Sequence, residues 1–160
     1  MRNIRSFCYG AGHNTEATLY SMSQGKKFRL IEHTADVGLV AYGTNLAEAF
    51  ANAAYGLFSI IAELGAVRET ESRQVEITED SPEALLFEWL NQLIYFFDVD
   101  SLIFKRFDMI EFRGNQLKAV CHGEKYDPSR HHLKTEVKSA TYHMLKVDEK
   151  KNQVQVIFDI

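Results

Sequence analysis

Two segments of the chain carry a helix start signal followed by a single apolar stripe, and together they constrain the fold more than any other feature. In the first segment, Asn45 and Glu48 form an Asn-x-x-Glu start. In the second, Ser81 precedes Pro82 and Glu83, residues favoured at a helix N-cap and in the first turn. The stripes consist of Leu46, Phe50, Ala53, Leu57 and Ile61, and of Leu86, Trp89, Leu90, Leu93, Ile94 and Phe97. A helix with one apolar face must bury that face against another element, so each stripe is expected to pack on a sheet.

Most of the remaining chain alternates apolar and polar residues, as half-buried strands do. The predicted strands are short runs near 28–30, 37–41 and 75–77, then two hairpins at 102–121 and 140–158. Two helices beside several strands predict an α+β fold, a two-layer sandwich with two main helices packed on a mixed or largely antiparallel sheet. Residues 1–26 show neither the two-residue period of a strand nor the 3.6-residue period of a helix. We therefore interpret them as a loose N-terminal extension to a domain at 27–160.

Composition limits the classes of partner and compartment. A chain of 160 residues with 46% apolar residues can build one sizeable core. Asp and Glu number 22 against 18 Lys and Arg, so a nucleic acid could be met only through a local patch or another protein. Cys8 and Cys121 form no CxxC pair, which favours a reducing compartment. Without an apolar run approaching about 20 residues, the chain is predicted to be soluble, cytoplasmic and free of membrane partners.

The segment 32–38 is a polar turn between two predicted strands, in a chain that lacks Gly-rich phosphate loops, GxSxG, HExxH and paired-cysteine motifs. The ordinary explanation is that Asp36 caps a turn and His33 packs at a strand end. The functional alternative is that Asp36 presents its carboxylate to a metal ion. Gly38 would then let the backbone approach closely.

The final residues raise a similar choice. Asp159 is ordinarily a solvated charge on a fraying end, but beside it the α-carboxylate of Ile160 would add a second anionic donor. If the fold brought Asp36 next to them, three carboxylates would repel one another, and a hard cation would compensate. Oxygen ligands favour calcium, magnesium or manganese over zinc. The sequence leaves open whether these ends meet.

A third polar segment, 133–143, contains Lys138 next to small residues. Its charges could be the solvated face of a strand, or Lys138 could offer a compact cation to a phosphate or an acidic partner. The neighbouring His131 and His132 cannot both face one metal in regular structure, and exposure is expected for both.

Three motifs of the chain resemble the archease family. His33 to Gly38 is similar to its N-terminal motif, Lys134 to His143 to its central motif, and Phe158 to Ile160 to its ending, in the right order over residues 27–160. The resemblance implies an accessory protein that is not itself an enzyme. It would activate the RtcB-type tRNA-splicing RNA ligase by promoting guanylylation of the ligase and multiple turnover, and would widen its nucleotide triphosphate specificity.

The resemblance also implies a set of site residues. Asp36, Asp159 and Ile160 would hold a divalent cation, calcium in the first place with magnesium or manganese as alternatives. Lys138 corresponds to a functionally important lysine, and His33 belongs to the same candidate site. RNA would be met indirectly, through the ligase. Two other classes remain open: a metal-dependent hydrolase or nuclease using Asp36, Asp159 and His33, and a general chaperone or scaffold protein.

Overall fold

A computed structural model describes residues 25–32 and 35–160 of the chain. This part of the chain contains seven strands, two α-helices and one short 3-10 turn. Their order is β1 Phe28–Glu32, β2 Asp36–Tyr42, α1 Leu46–Ile61, the 3-10 turn Leu64–Ala66, β3 Glu71–Thr78, α2 Pro82–Asp100, β4 Leu102–Arg113, β5 Gln116–Lys125, β6 Ser139–Asp148 and β7 Gln153–Asp159. The α+β class and the antiparallel pairing are therefore confirmed.

Both helices begin where the capping residues predicted. The Asn45 side chain accepts a hydrogen bond from the Glu48 backbone N–H at 2.8 Å, and Ser81 accepts from the Ala84 N–H at 3.1 Å. These bonds satisfy backbone donors that have no partner inside the helix. The Glu48 carboxylate does not return to Asn45, as in a full capping box, but accepts from the N–H and hydroxyl of Thr44.

The strands divide into two antiparallel sheets instead of one. Strands β1, β2, β7 and β6 form a four-stranded sheet in that order, and β3, β5 and β4 form a three-stranded sheet. Helix α1 packs mainly on β2 and β4, and α2 mainly on β6, so the helices serve both sheets. Their predicted stripes are buried in one continuous core, apart from the half-buried Leu46 and Phe97.

The centre of the core joins the two helices. Trp89 of α2 is fully buried, and its indole N–H donates to the Phe50 carbonyl of α1 at 3.1 Å, which satisfies its one polar atom. Phe58 meets Phe104 of β4 edge to face, with ring centroids 5.6 Å apart. Among the described residues, neither helix is long and apolar enough to cross a bilayer. The N-terminal extension predicted at 1–26 lies outside the described residues as far as position 24.

Candidate functional site

The candidate site lies at one end of the four-stranded sheet. Asp36, the first residue of β2, is directly opposite Asp159, the last residue of β7, and Asp159 is opposite Ser139, the first residue of β6. Directly opposed side chains lie on the same face of a sheet with Cβ atoms about 4.5–5.5 Å apart. The structure thus places Asp36 beside Asp159, a contact that the sequence alone could not predict.

Alternation along the strands decides which face the two carboxylates occupy. Val37 and Phe158, the next pair along, pack into the helix-covered core. Because successive side chains point to opposite faces, Asp36 and Asp159 face away from the helices. Asp36 is half-buried and Asp159 is exposed, so a small ligand or a partner protein can reach the pair.

Lys138 and Ile160 complete the same corner. The Lys138 N–H donates to the Asp159 carbonyl at 2.8 Å, which continues the pairing of β6 with β7 by one residue. The Lys138 ammonium then donates to the O atom of Ile160 at 3.3 Å. Both Lys138 and Ile160 are exposed. Of the predicted site residues, Asp36, Asp159, Ile160 and Lys138 therefore meet, whereas His33 lies outside the described residues.

The donor chemistry of this corner suits a hard cation only if a main-chain group takes part. Like charges directly opposite each other across two strands are destabilising, so Asp36 and Asp159 gain from a cation near them. Within residues 25–32 and 35–160, however, no group of three or more His, Cys, Asp or Glu side chains is arranged to hold a metal ion. A third anionic oxygen would have to come from Ile160. The set of Asp36, Asp159 and Ile160 is then all oxygen, the type of set that calcium and magnesium prefer.

The start of β6 is held by a helix residue that the sequence analysis did not single out. The Asn91 side chain of α2 accepts from the Ala140 N–H at 2.9 Å and donates to the Ala140 carbonyl at 3.4 Å. This pair of bonds fixes the strand two residues after Lys138. Helical periodicity gave no signal for this contact, because Asn91 is half-buried and lies outside the predicted apolar stripe of α2.

The segment that leads to Lys138 is anchored by a buried charged network. The Glu124 carboxylate, 6% exposed, accepts two bonds from the Arg130 guanidinium at 2.8 and 3.1 Å and one from the Arg68 N–H at 2.8 Å. Chiefly because of the Arg130 hydrogen bonds, the pKa of the Glu124 carboxyl falls from 4.5 to about 2. The network joins β5 to the loop after it and to the segment before β3.

His131 belongs to this network, so the expectation that it is exposed is wrong. The residue is 5% exposed, its Nδ1 accepts from the Asp127 N–H at 2.9 Å, and its Nε2 lies 2.9 Å from the Glu124 carboxylate. Since Nδ1 accepts, the hydrogen-bond pattern assigns the proton to Nε2, which donates to Glu124. His132 is exposed, as expected. Neither histidine contacts the carboxylate corner.

Comparisons with known proteins agree with this fold and these motifs. The family model described as Archease protein family (MTH1598/TM1083) matches residues 28–160. Protein archease of Methanosarcina acetivorans is 40% identical over 144 residues, which are 86% of this chain and 99% of that protein. The solution structure of Methanobacterium thermoautotrophicum protein 1598 superimposes with a TM-score of 0.68 at 30% identity, covering 84% of this chain and 99% of that one.

A second solved structure shares the fold alone. The crystal structure of an archease of Thermotoga maritima, described as a possible chaperone, superimposes with a TM-score of 0.52 at 24% identity, covering 82% of this chain and 96% of that one. The family model spans both helices and all seven described strands. With that coverage and a relative at 40% identity, the chain belongs to the archease family.

Proposed function

We propose that this chain is an accessory protein that activates an RtcB-type tRNA-splicing RNA ligase and is not itself an enzyme. The observation that carries the proposal is the corner formed by Asp36, Asp159, Ile160 and Lys138. Membership of the archease family supports it. In this role the chain promotes guanylylation and multiple turnover of the ligase and widens the range of nucleotide triphosphates that the ligase accepts.

The carboxylates of Asp36 and Asp159, with the α-carboxylate of Ile160, would hold a divalent cation, calcium in the first place. When bound, such a cation supplies positive charge that offsets the charge developing on phosphates during nucleotidyl transfer. Lys138 lies on the same corner, and its bond to Ile160 orients the last residue of the chain. A compact ammonium at this place can also meet a phosphate of the nucleotide in the ligase pocket.

The test is a reconstituted ligation with limiting ligase and excess RNA ends. The wild-type chain is expected to give many turnovers per ligase, whereas Asp36→Asn should return turnover to the level seen without the chain. Asp80→Asn is the matched control, because it removes the same charge at an exposed position outside the corner. Undiminished multiple turnover with Asp36→Asn would refute the proposal.

The role of the last residue needs a separate experiment. Residues appended after Ile160 convert its α-carboxylate into a peptide carbonyl, which removes one negative charge from the corner. We expect such an extended chain to fold with unchanged stability and to lose stimulation of the ligase. If the extended chain stimulates fully, the α-carboxylate plays no part in the site.

Cation binding can be measured without the ligase. A ligand that binds only the folded state at 100 times its Kd stabilises by about 2.7 kcal/mol. Calcium titrated into chelator-treated protein should therefore raise the Tm of the wild type and of Asp80→Asn, but not that of Asp36→Asn. An equal rise in Asp36→Asn would place the cation elsewhere.

Two other classes of function make different predictions. The description of the Thermotoga structure as a possible chaperone favours a scaffold role, for which chelation would lower the Tm and leave ligase stimulation intact. A metal-dependent hydrolase or nuclease using Asp36, Asp159 and His33 would turn over RNA, phosphoesters or nucleotides without the ligase. Incubation of the purified chain alone with these substrates and divalent metal separates that class from an activator.

A further inference from the structure

A cleft rich in lysines lies at the end of the four-stranded sheet opposite the carboxylate corner. Strand β2 begins in that corner at Asp36 and ends at Tyr42, which lines a cleft of about 420 Å³. Six residue steps of about 3.3 Å separate the two sites by about 20 Å. The cleft is walled by residues before β1, by the connection from β2 to α1 and by the turn from β6 to β7.

The charge of the cleft is opposite to that of the whole chain. Of the described residues that line it, four are lysines, Lys26, Lys27, Lys150 and Lys151, and one, Glu48, carries a carboxylate. These give a local balance of 4 − 1 = +3 in a chain of net charge −4. Hydrogen bonds from the Thr44 side chain and backbone lower the pKa of Glu48, so that this one carboxylate is already committed to the protein.

The four ammonium groups are available to a ligand. All four lysines are exposed, and no salt bridge in the described part of the chain involves any of them. Among residues 25–32 and 35–160, Lys27 is the one of the four with a cation–π contact, its Nζ lying 4.4 Å from the centre of the Tyr55 ring. Like charges gathered in this way repel one another, and an anionic ligand would relieve the repulsion.

Main-chain bonds hold the walls of the cleft in register. The Tyr42 N–H donates to the Lys27 carbonyl at 3.0 Å, and the Gly43 N–H donates to the Asn152 carbonyl at 3.0 Å. The Asn152 side chain donates back to the Thr44 carbonyl at 3.2 Å. All three walls are therefore tied together, and the lysines come from a fixed frame. A Cβ at Gly43 would lie 2.5 Å from the Ala49 nitrogen, so only glycine allows this close approach.

We propose that this lysine cleft binds the sugar-phosphate backbone of RNA. Lysine offers a point charge that suits phosphate without reading the base, and exposed lysines on several walls match a chain of repeated phosphates. The choice of RNA among polyanions rests on the proposed function, since an RNA ligase works on RNA ends. An acidic chain needs a local basic patch to bind a nucleic acid directly, and the lysine cleft is such a patch.

The experiment compares two double variants with the same loss of charge. The cleft variant, Lys150→Gln with Lys151→Gln, removes half of the cleft lysines. The sheet variant, Lys118→Gln with Lys125→Gln, removes two lysines from the three-stranded sheet. Binding of a labelled single-stranded RNA is measured by fluorescence anisotropy over a range of salt concentrations. Each phosphate contact contributes about 0.7 to the slope of log affinity against log salt, so the cleft variant should lose about 1.4.

The outcomes separate this proposal from the proposed function. Unfolding in urea first establishes that both double variants are folded. Equal affinity of the cleft variant and the wild type, an equal loss in the sheet variant, or competition by polyglutamate as strong as by RNA would each overturn the RNA cleft. Guanylylation of the ligase without RNA should be stimulated normally by the cleft variant. If the wild-type chain failed to stimulate guanylylation, the activator role would be refuted, whereas the RNA-binding result would be unaffected.

Discussion

Replacing the buried carboxylate of Glu124 by an amide, in the variant Glu124→Gln, is expected to cost the fold about 3 kcal/mol at pH 7. The carboxylate is 6% exposed and accepts bonds from Arg130, Arg68 and His131. These bonds, with Arg130 the largest cause, lower the pKa of the Glu124 carboxyl from 4.5 to about 2. An amide cannot accept the same set, and among the described residues it leaves the Arg130 guanidinium with only its ion pair to Asp127, at 3.2 Å.

The sign of the pH dependence follows from the direction of this pKa change. The folded carboxyl has the lower pKa, so its stabilisation is complete above the unfolded value of 4.5 and is lost as the pH falls towards about 2. The difference between the two pKa values is worth about 3 kcal/mol at pH 7 and about 1 kcal/mol at pH 3. The stability gap between the wild type and Glu124→Gln should narrow accordingly.

The assay is urea unfolding at pH 7 and pH 3, followed by the fluorescence of Trp89, the one tryptophan of the chain. Glu69→Gln serves as the matched control, because Glu69 pairs at 2.8 Å with Arg106 on the surface, where such pairs are worth about 1 kcal/mol or less. Two results would contradict the reasoning. One is an equal loss of unfolding free energy in Glu124→Gln and Glu69→Gln. The other is a difference in unfolding free energy between the wild type and Glu124→Gln that is as large at pH 3 as at pH 7.

Two further predictions concern the three-stranded sheet. In Gly123→Ala the new Cβ would lie 1.9 Å from the Ile103 carbonyl oxygen, so urea unfolding should show a loss of about 1–3 kcal/mol or more, while Gly65→Ala, with open space around it, should change stability by less than about 0.5 kcal/mol. Comparable effects at the two glycines would argue against the close approach. Burial raises the pKa of the Cys121 thiol to about 12, so iodoacetamide at pH 8 should label the Cys121 peptide only after unfolding. Rapid labelling of the native protein would show that the thiol is accessible.

The helices could be predicted closely because their signals are local. Asn45 and Ser81 cap α1 and α2 through residues three positions away, and the apolar stripes repeat within each helix. The hairpins β4–β5 and β6–β7 also followed from neighbouring turns, such as Gly114 with its φ of 44°. In each case the residues that decide the structure are close together in the sequence.

The division of strands between two sheets could not be predicted in the same way. Strand β5 pairs with β3 across the whole of α2, and β7 pairs with β2 from the beginning of the domain. Alternation shows that a strand has one buried face, but not which strand lies beside it. His131 illustrates the same limit, since its burial depends on a carboxylate on β5 and on the backbone of its own loop.

From the amino-acid sequence alone come the α+β class, the two helix starts, the three motifs and their order, because each depends on side chains at short spacing. Tertiary structure alone decides that Asp36 lies opposite Asp159, that Lys138 reaches Ile160, and that the lysine cleft forms at the other end of the same strands. The physical reason is register: pairing in a sheet joins residues far apart along the chain, and a shift by one position would turn every side chain to the other face.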